Sequence, residues 1–378
     1  MQIELTDKER ASKEEFRAFA DENVAPYAGE FDRSEQVPDE LIRNLGEKGY
    51  LGALVPENFG GRGIDPLRWG LLCEEIGRCS ASLVSLLTVH SMVIQVITRW
   101  GNEEQKAQWL PKLASGESIA AFGLSEPEIG SDAGHCETTA RSDGEHYLLS
   151  GEKRWISFGQ VADLFLIFGS IDGQSTAFLV ESDSDGFERS PISGLLGFRA
   201  AMLASLHLDD CRIPAANLVG RPGFGFSHVG GTALDHGRFC IAWGALGLIE
   251  ACISASLDYA ETREQFGSPL KDHQLVKAMI ADMLVQSRAA RLMCYNAASL
   301  KERGSPSLIM ETSIAKYFSS RAAVQVALDA VQVHGANGCT DDYPVARYLR
   351  DAKVFEIIEG SNQIQQIIIA RYGHRNAK

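Results

Sequence analysis

The sequence predicts an α+β chain in three parts: an N-terminal α-helical domain over residues 1–118, a middle β domain of barrel type over 119–228, and a C-terminal four-helix bundle over 229–378. Three observations predict it. Apolar residues recur at the helical period up to about residue 118, alternate from there to about 228, and then return to the helical period. Asp143-Gly144 and Asp172-Gly173 each sit between alternating runs, the usual signature of a hairpin turn. No strand–helix–strand repeat is written anywhere in the chain, so a doubly wound nicotinamide-binding domain has no place.

Each element has its own warrant. Thr6 or Asp7 can cap a first helix, Pro38 opens the helix DELIRNLGEKG, and Gly49 closes it. Residues 55–66 are dense in Gly and Pro and form a loop. Amphipathic helices follow from Leu67 and over Glu103–Leu113. In the middle segment, CETTARSDGEHYLLSGEKRWISF and DLFLIFGSIDGQSTAFLVES read as hairpins and MLASLHLDDCRI as a further strand, which suits a small antiparallel barrel or sandwich. The last part holds long helical runs at 230–265, 270–303, 306–335 and 344–371.

With 378 residues, 45% of them apolar, the chain can bury a large core. Its 36 basic and 50 acidic side chains give a net charge of −14, which argues against nucleic-acid backbones as the main partner. The longest uncharged run, Cys79–Thr98, is laced with Ser, Thr, His and Gln, so it reads as a buried helix and not a membrane span. The polar start MQIELTDKERASKEEF has no signal-peptide character, and a cytoplasmic location is expected. Eight cysteines without a CxxC pair suggest small buried hydrophobes, with neither a metal site nor a disulfide framework.

Four segments carry chemistry. AFGLSEPEIGSDAG, residues 121–134, leaves a strand through a turn whose hydroxyls and backbone N–H groups suit the polar edge of a heterocycle, or merely cap the turn. KRWISFG, residues 153–159, sets Trp155 and Ser157 on one side of a strand by period-two alternation, beside a ring or as core and surface residues. In REQFGSPLKDHQ, residues 263–274, Arg263 can pair with a pyrophosphate while Phe266 packs and Gln274 hydrogen-bonds. Equally, Arg263 is a favourable charge at a helix C-terminus. In RDAKVFEIIEGSNQIQQIIIAR, residues 350–371, Gly360 ends one helix and Ser361 caps the next. That leaves Glu359 on a turn between apolar helices, either desolvated as a general base or solvated at a helix end.

Together, in this order and on an α–β–α chain, the four segments resemble the acyl-CoA dehydrogenase superfamily of FAD flavoproteins over the whole length. The resemblance implies Glu359 as catalytic base, removing the α-proton of an acyl thioester while the β-hydride passes to flavin N5. It implies flavin contacts from Phe122, Leu124, Ser125 and Ser131, with Trp155 near the ring and Ser157 on N5. Arg263, Phe266 and Gln274 of a neighbouring subunit, with Gln332 and Gly335, would hold the pyrophosphate and adenine. Ser361 and Gln363 also match cofactor positions, and Ser131, Asp235, Arg238 and Gly360 match substrate positions. A homodimer or homotetramer follows, as does an electron acceptor such as electron-transfer flavoprotein or oxygen.

Departures from the family pattern bear on the substrate. Ile358 stands where fatty-acyl members commonly carry Tyr, Glu128-Ile129 replaces Gly-Ala before GSD, Ala336 replaces a Gly, and Ser replaces Thr at the flavin edge. KRWISFG, ALDHGR and EIIEGSNQIQQ are most similar to the branch that oxidises small polar acyl groups on acyl carrier protein, making hydroxymalonyl or methoxymalonyl extender units for polyketides. A short-chain acyl-CoA dehydrogenase and a flavin-binding scaffold without dehydrogenase activity are the alternatives.

Overall fold

The computed structural model describes residues 4–376. Six helices come first: α1 Asp7–Asn23, α2 Ala28–Ser34, α3 Asp39–Glu47, α4 Pro66–Cys79, α5 Ala81–Trp100 and α6 Glu103–Ser115. Local chemistry sets several boundaries. Thr6 Oγ1 accepts from Glu9 N while Glu9 Oε2 accepts from Thr6 N, a reciprocal cap on α1, and Asn102 and Gln105 repeat it on α6. Asp65 caps α4 with Pro66 in its first turn.

Strands β1 Ala120–Gly123, β2 Thr139–Asp143, β3 His146–Ile156, β4 Leu164–Ile171, β5 Gln174–Glu181, β6 Phe187–Pro191, β7 Ala204–Pro214 and β8 Leu218–Val219 make one sheet, in the order β6-β7-β3-β2-β4-β5-β8 with β1 also on β4. The expected barrel is therefore an open one ending at β6 and β8, and it is not wholly antiparallel, because β1 and β2 both pair with β4 in parallel. Asp172-Gly173 forms the two-residue turn its sequence predicts, with φ of 49° and 75°. The first hairpin turns one residue later than expected. Asp143 pairs with His146, which leaves Gly144-Glu145 as the loop with the positive φ on Gly144.

The last part contains α7 Gly231–Thr262, the short strands β9 Glu264–Gln265 and β10 Ser268–Pro269, then α8 Gln274–Glu302, α9 Leu308–His334, α10 Val345–Phe355 and α11 Asn362–Asn376. The expected run 344–371 is thus two helices separated by the Glu359 turn. Helix α4 crosses α7 so closely that a Cβ on Gly77 would lie 2.6 Å from Gly244 O and one on Gly247 2.1 Å from Glu74 O. Helix α5 is buried continuously from Ala81 to Ile94, between α7 and β1. It and the segment Gly225–Thr262 are long and apolar enough to cross a membrane, yet both lie largely inside the protein, as core helices do. Of the cysteines, Cys339 is exposed and Cys136 half-buried, against the expectation that all are core residues. Both lie in or beside irregular segments with little cover.

Candidate active site

The turn between α10 and α11 presents Glu359. Gly360 takes φ +82° at no steric cost, whereas Glu359 itself sits at +55°, a conformation that costs a residue with a Cβ about 1–3 kcal/mol and persists only when neighbours enforce it. Those neighbours are visible. Asn362 N donates to Glu356 O at 2.9 Å, and Gln365 Nε2 donates to Glu359 O at 3.2 Å and Gly360 O at 2.8 Å. Ser361 Oγ accepts from Ile364 N at 3.4 Å, the cap expected at the start of α11.

The carboxylate points at α7. A Cβ on Gly237 would lie 2.2 Å from Glu359 Oε2 and 3.0 Å from Met92 Sδ, so the missing side chain at 237 is the space that the carboxylate fills. Oε2 is buried without a hydrogen-bond partner, and so are Asp235 Oδ1 and Arg238 Nε on the same turn of α7. Asp235 Oδ2 lies 3.5 Å from Lys301 Nζ. Burial pushes Glu359 up to about 7, against the opposing pull of Arg238 and Lys316 and with a further push from Cys240. Arg238 is itself lowered by burial, with Asp235 and Glu359 acting in the other direction. An unpartnered carboxylate that titrates near neutrality is chemically suited to accept a proton.

The middle-domain group is held by a buried ion pair that sequence reasoning missed. Lys153 Nζ lies 2.6 Å from Glu126 Oε1, and Glu126 also accepts from Glu137 N, Thr138 N and Thr138 Oγ1 at 2.6–3.0 Å. This fastens the loop that follows Leu124. Phe122 and Leu124 are buried, Ser125 is half-buried with its carbonyl accepting from Arg154 N at 2.9 Å, and Ser131 is exposed. Trp155 and Ser157 do not share a strand face as alternation predicted. The β3–β7 register shifts between Lys153 and Ile156, Trp155 has φ +65°, and the strand ends before Ser157. The bulge leaves Trp155 half-exposed, with Arg154 over its ring at 4.8 Å. Phe122, Leu124 and Met92 share one apolar cluster, with Leu234 packed against it, which connects this group to the Glu359 pocket. A half-exposed indole two residues before the Ser157 hydroxyl suits a planar heteroaromatic group.

The remaining predicted residues lie elsewhere. Arg263 caps the far end of α7, 26 residues and about 39 Å of helix beyond Gly237. Phe266-Gly267 turns β9 into β10 at φ of 51° and 77°, and Phe266 is fully exposed, its ring meeting His273 edge-on with 6.1 Å between centroids. Gln274 opens α8 and is exposed. Gln332 and Gly335, at the end of α9, are exposed too, near the Arg263 end where Tyr259 stacks on His334 at 4.3 Å. Gln363 is exposed in the first turn of α11, and Gly360 and Ser361 adjoin Glu359. Glu126, Lys153 and Lys316 left no local signal in the sequence. Gly237 did leave one, because a glycine inside a long helix costs about 1 kcal/mol and calls for a packing reason.

The three-part α–β–α chain brings a general-base candidate into a buried pocket, and comparison with known proteins gives its class. Family models described as the N-terminal, middle and C-terminal domains of acyl-CoA dehydrogenase match residues 6–117, 121–211 and 223–373. An acyl-CoA dehydrogenase of Bacillus subtilis (strain 168) is 40% identical over 98% of this chain and 99% of its own. Butyryl-CoA dehydrogenase from Megasphaera elsdenii superposes with a TM-score of 0.95 at 34% identity, covering 98% of this chain and 99% of that one. A protein for biosynthesis of the methoxymalonyl extender unit of the polyketide Fk520 superposes at 0.89, with 34% identity over 95% of this chain and 99% of its own. A glutaryl-CoA dehydrogenase from Mycobacterium smegmatis, solved in complex with FADH2, superposes at 0.92, with 30% identity over 97% and 95% of the two chains. The chain belongs to the acyl-CoA dehydrogenase family, and it is a flavin-dependent dehydrogenase.

Proposed function

We propose that the protein oxidises a small polar acyl group carried as a thioester on acyl carrier protein, with FAD as cofactor and Glu359 as the base. The observation that carries the base assignment is the buried, partnerless Glu359 Oε2 in the space opposite Gly237. The carrier assignment draws on the likeness to the extender-unit protein and on Ile358 where fatty-acyl members commonly have Tyr.

Phe122, Leu124, Ser125, Ser131, Trp155 and Ser157 would hold the isoalloxazine, with Ser361 and Gln363 beside it. Bound FAD supplies the acceptor for the β-hydride. This chain's residues do the rest. The backbone N–H of Glu359 donates to the thioester carbonyl, and the carboxylate takes the α-proton at Oε2. Asp235, Arg238 and Gly360 line the route of the acyl group, and the apolar wall around Met92 excludes water. Arg263, Phe266, Gln274, Gln332 and Gly335 lie too far along the bundle to serve this pocket, so they would grip the pyrophosphate and adenine of a second copy's FAD. The full exposure of Phe266, with Leu275 and Val285 largely exposed on α8, supports a homodimer or homotetramer. Electrons would leave to an electron-transfer flavoprotein or to oxygen.

The likeness to butyryl-CoA dehydrogenase supports a second reading, a short-chain acyl-CoA dehydrogenase. Anaerobic bleaching of the flavin separates the two. Hydroxyacyl-carrier thioesters are expected to bleach it and butyryl-CoA is not. The reverse result favours the short-chain reading, and bleaching by neither would favour a flavin scaffold. A purified protein that binds no FAD would end all three.

A further inference from the structure

Helix α9 buries a lysine under the turn that carries Glu359. Lys316 has no exposed surface, and its Nζ lies 3.0 Å from Gly360 O, 3.1 Å from Asn362 Oδ1 and 3.4 Å from Glu356 O. Each of the three is an acceptor, and only an ammonium has three protons to meet them, so the bonded form is the charged one. All three acceptors belong to the stretch Glu356–Asn362. Ser320 Oγ, one turn further along α9, donates to the same Asn362 Oδ1 at 2.9 Å. A buried ammonium with every proton committed to one short loop does more than fill space: each of the three oxygens has one other donor, Gln365 Nε2, Ser320 Oγ or Asn362 N, and Lys316 is the single group that ties all three together.

We propose that Lys316 is a positioning residue for the reaction: as an ammonium it clamps the Glu356–Asn362 turn, keeps Glu359 in its left-handed backbone with the carboxylate facing Gly237, and favours the ionised carboxylate in a buried pocket. This rests on the reading of Glu359 as the base. The groups that face Glu359 are Arg238 and Cys240 from α7 and Lys316 from α9. Those that face Lys316 are Glu359, Glu356 and Arg238. Burial draws Lys316 down to about 7, with Glu359 and Glu356 holding it up and Arg238 pressing it down. The sign follows from the charges. Loss of the Lys316 cation makes proton release from Glu359 harder, so the pH at which Glu359 becomes a competent base moves up.

Lys316→Met, Lys316→Arg and Glu359→Gln are compared as FAD-loaded proteins. The Glu359 carboxyl stretch is titrated by infrared difference against Glu359→Gln. In parallel, anaerobic flavin reduction is followed from pH 5.5 to 9, using whichever of butyryl-CoA and the hydroxyacyl-carrier thioester bleaches the wild type faster. In Lys316→Met, both the infrared titration and the acid limb of the rate are expected to move up by about one pH unit. Its rate at pH 7 is expected to fall about fivefold, as the ionised fraction of Glu359 drops from about one half to about one eleventh. Lys316→Arg is expected to return the limb toward its wild-type position. Should Lys316→Met not fold, Lys316→Gln, which keeps two donors without charge, takes its place. A folded variant whose rate drops equally at every pH with an unmoved titration, or does not change at all, would overturn the proposal while leaving the base reading intact. Glu359→Gln reducing its flavin at the wild-type rate would instead overturn the base reading.

Discussion

At the Glu359 end of the C-terminal bundle, side chains are buried and the turn is fastened by Lys316, Ser320, Asn362 and Gln365, while the carboxylate oxygen Oε2 is left without a partner. At the Arg263 end, about 39 Å along α7, Phe266 is fully exposed and Arg263, Gln274 and Gln332 face outward from helix ends. The first end is organised by its own chain around a single reactive atom. The second carries groups with binding chemistry and nothing of its own to bind, as expected where a second copy completes the site. Preorganisation is concentrated around the proposed base, and exposure at the end proposed to meet a second copy.

This contrast can be broken at either end. The largest effect is expected in the fastened region next to the pocket. Lys153→Met would leave Glu126 buried without its cation, at a cost of about 3–5 kcal/mol read from urea unfolding. Gly237→Ala puts a methyl group where Glu359 Oε2 now sits, 2.2 Å away. About a hundredfold loss in flavin reduction is expected, with FAD content unchanged, since small displacements of reacting groups cost on that order. Arg263→Ala should weaken FAD retention by about tenfold or more, measured by flavin fluorescence on dilution, through loss of a charge-assisted hydrogen bond. Phe266→Ala should change the unfolding free energy of the subunit by no more than about 0.5 kcal/mol, because the ring makes little contact within its own chain. Its effect should appear in the oligomeric state by light scattering. A large stability loss there would remove the distinction between the two ends.

What could be read from the sequence was local. The turn at Asp172-Gly173, the cap at Thr6 and the break at Glu359-Gly360-Ser361 are all set by residues within a few positions of one another, and they appear in the structure. What was missed was non-local or irregular. Lys153 meets Glu126 across 27 positions and Lys316 meets Gly360 across 44, and no period or propensity reports such pairs. Parallel pairing of β1 with β4 likewise joins residues far apart in sequence. Trp155 and Ser157 misled because alternation holds only while a strand is regular, and a bulge intervenes.

The central claim is that Glu359 takes the α-proton from a buried position that holds its carboxyl near 7. Anaerobic flavin reduction by the active thioester, followed against pH in the wild type and in Glu359→Gln, tests it most directly. In the wild type the rate should climb through about pH 7, as the raised carboxyl ionises and becomes able to accept a proton. Glu359→Gln should keep its FAD, lose roughly 10²–10⁴-fold in rate, and show no such limb. Reduction of the Glu359→Gln flavin at the wild-type rate, with the same pH dependence, would contradict the account.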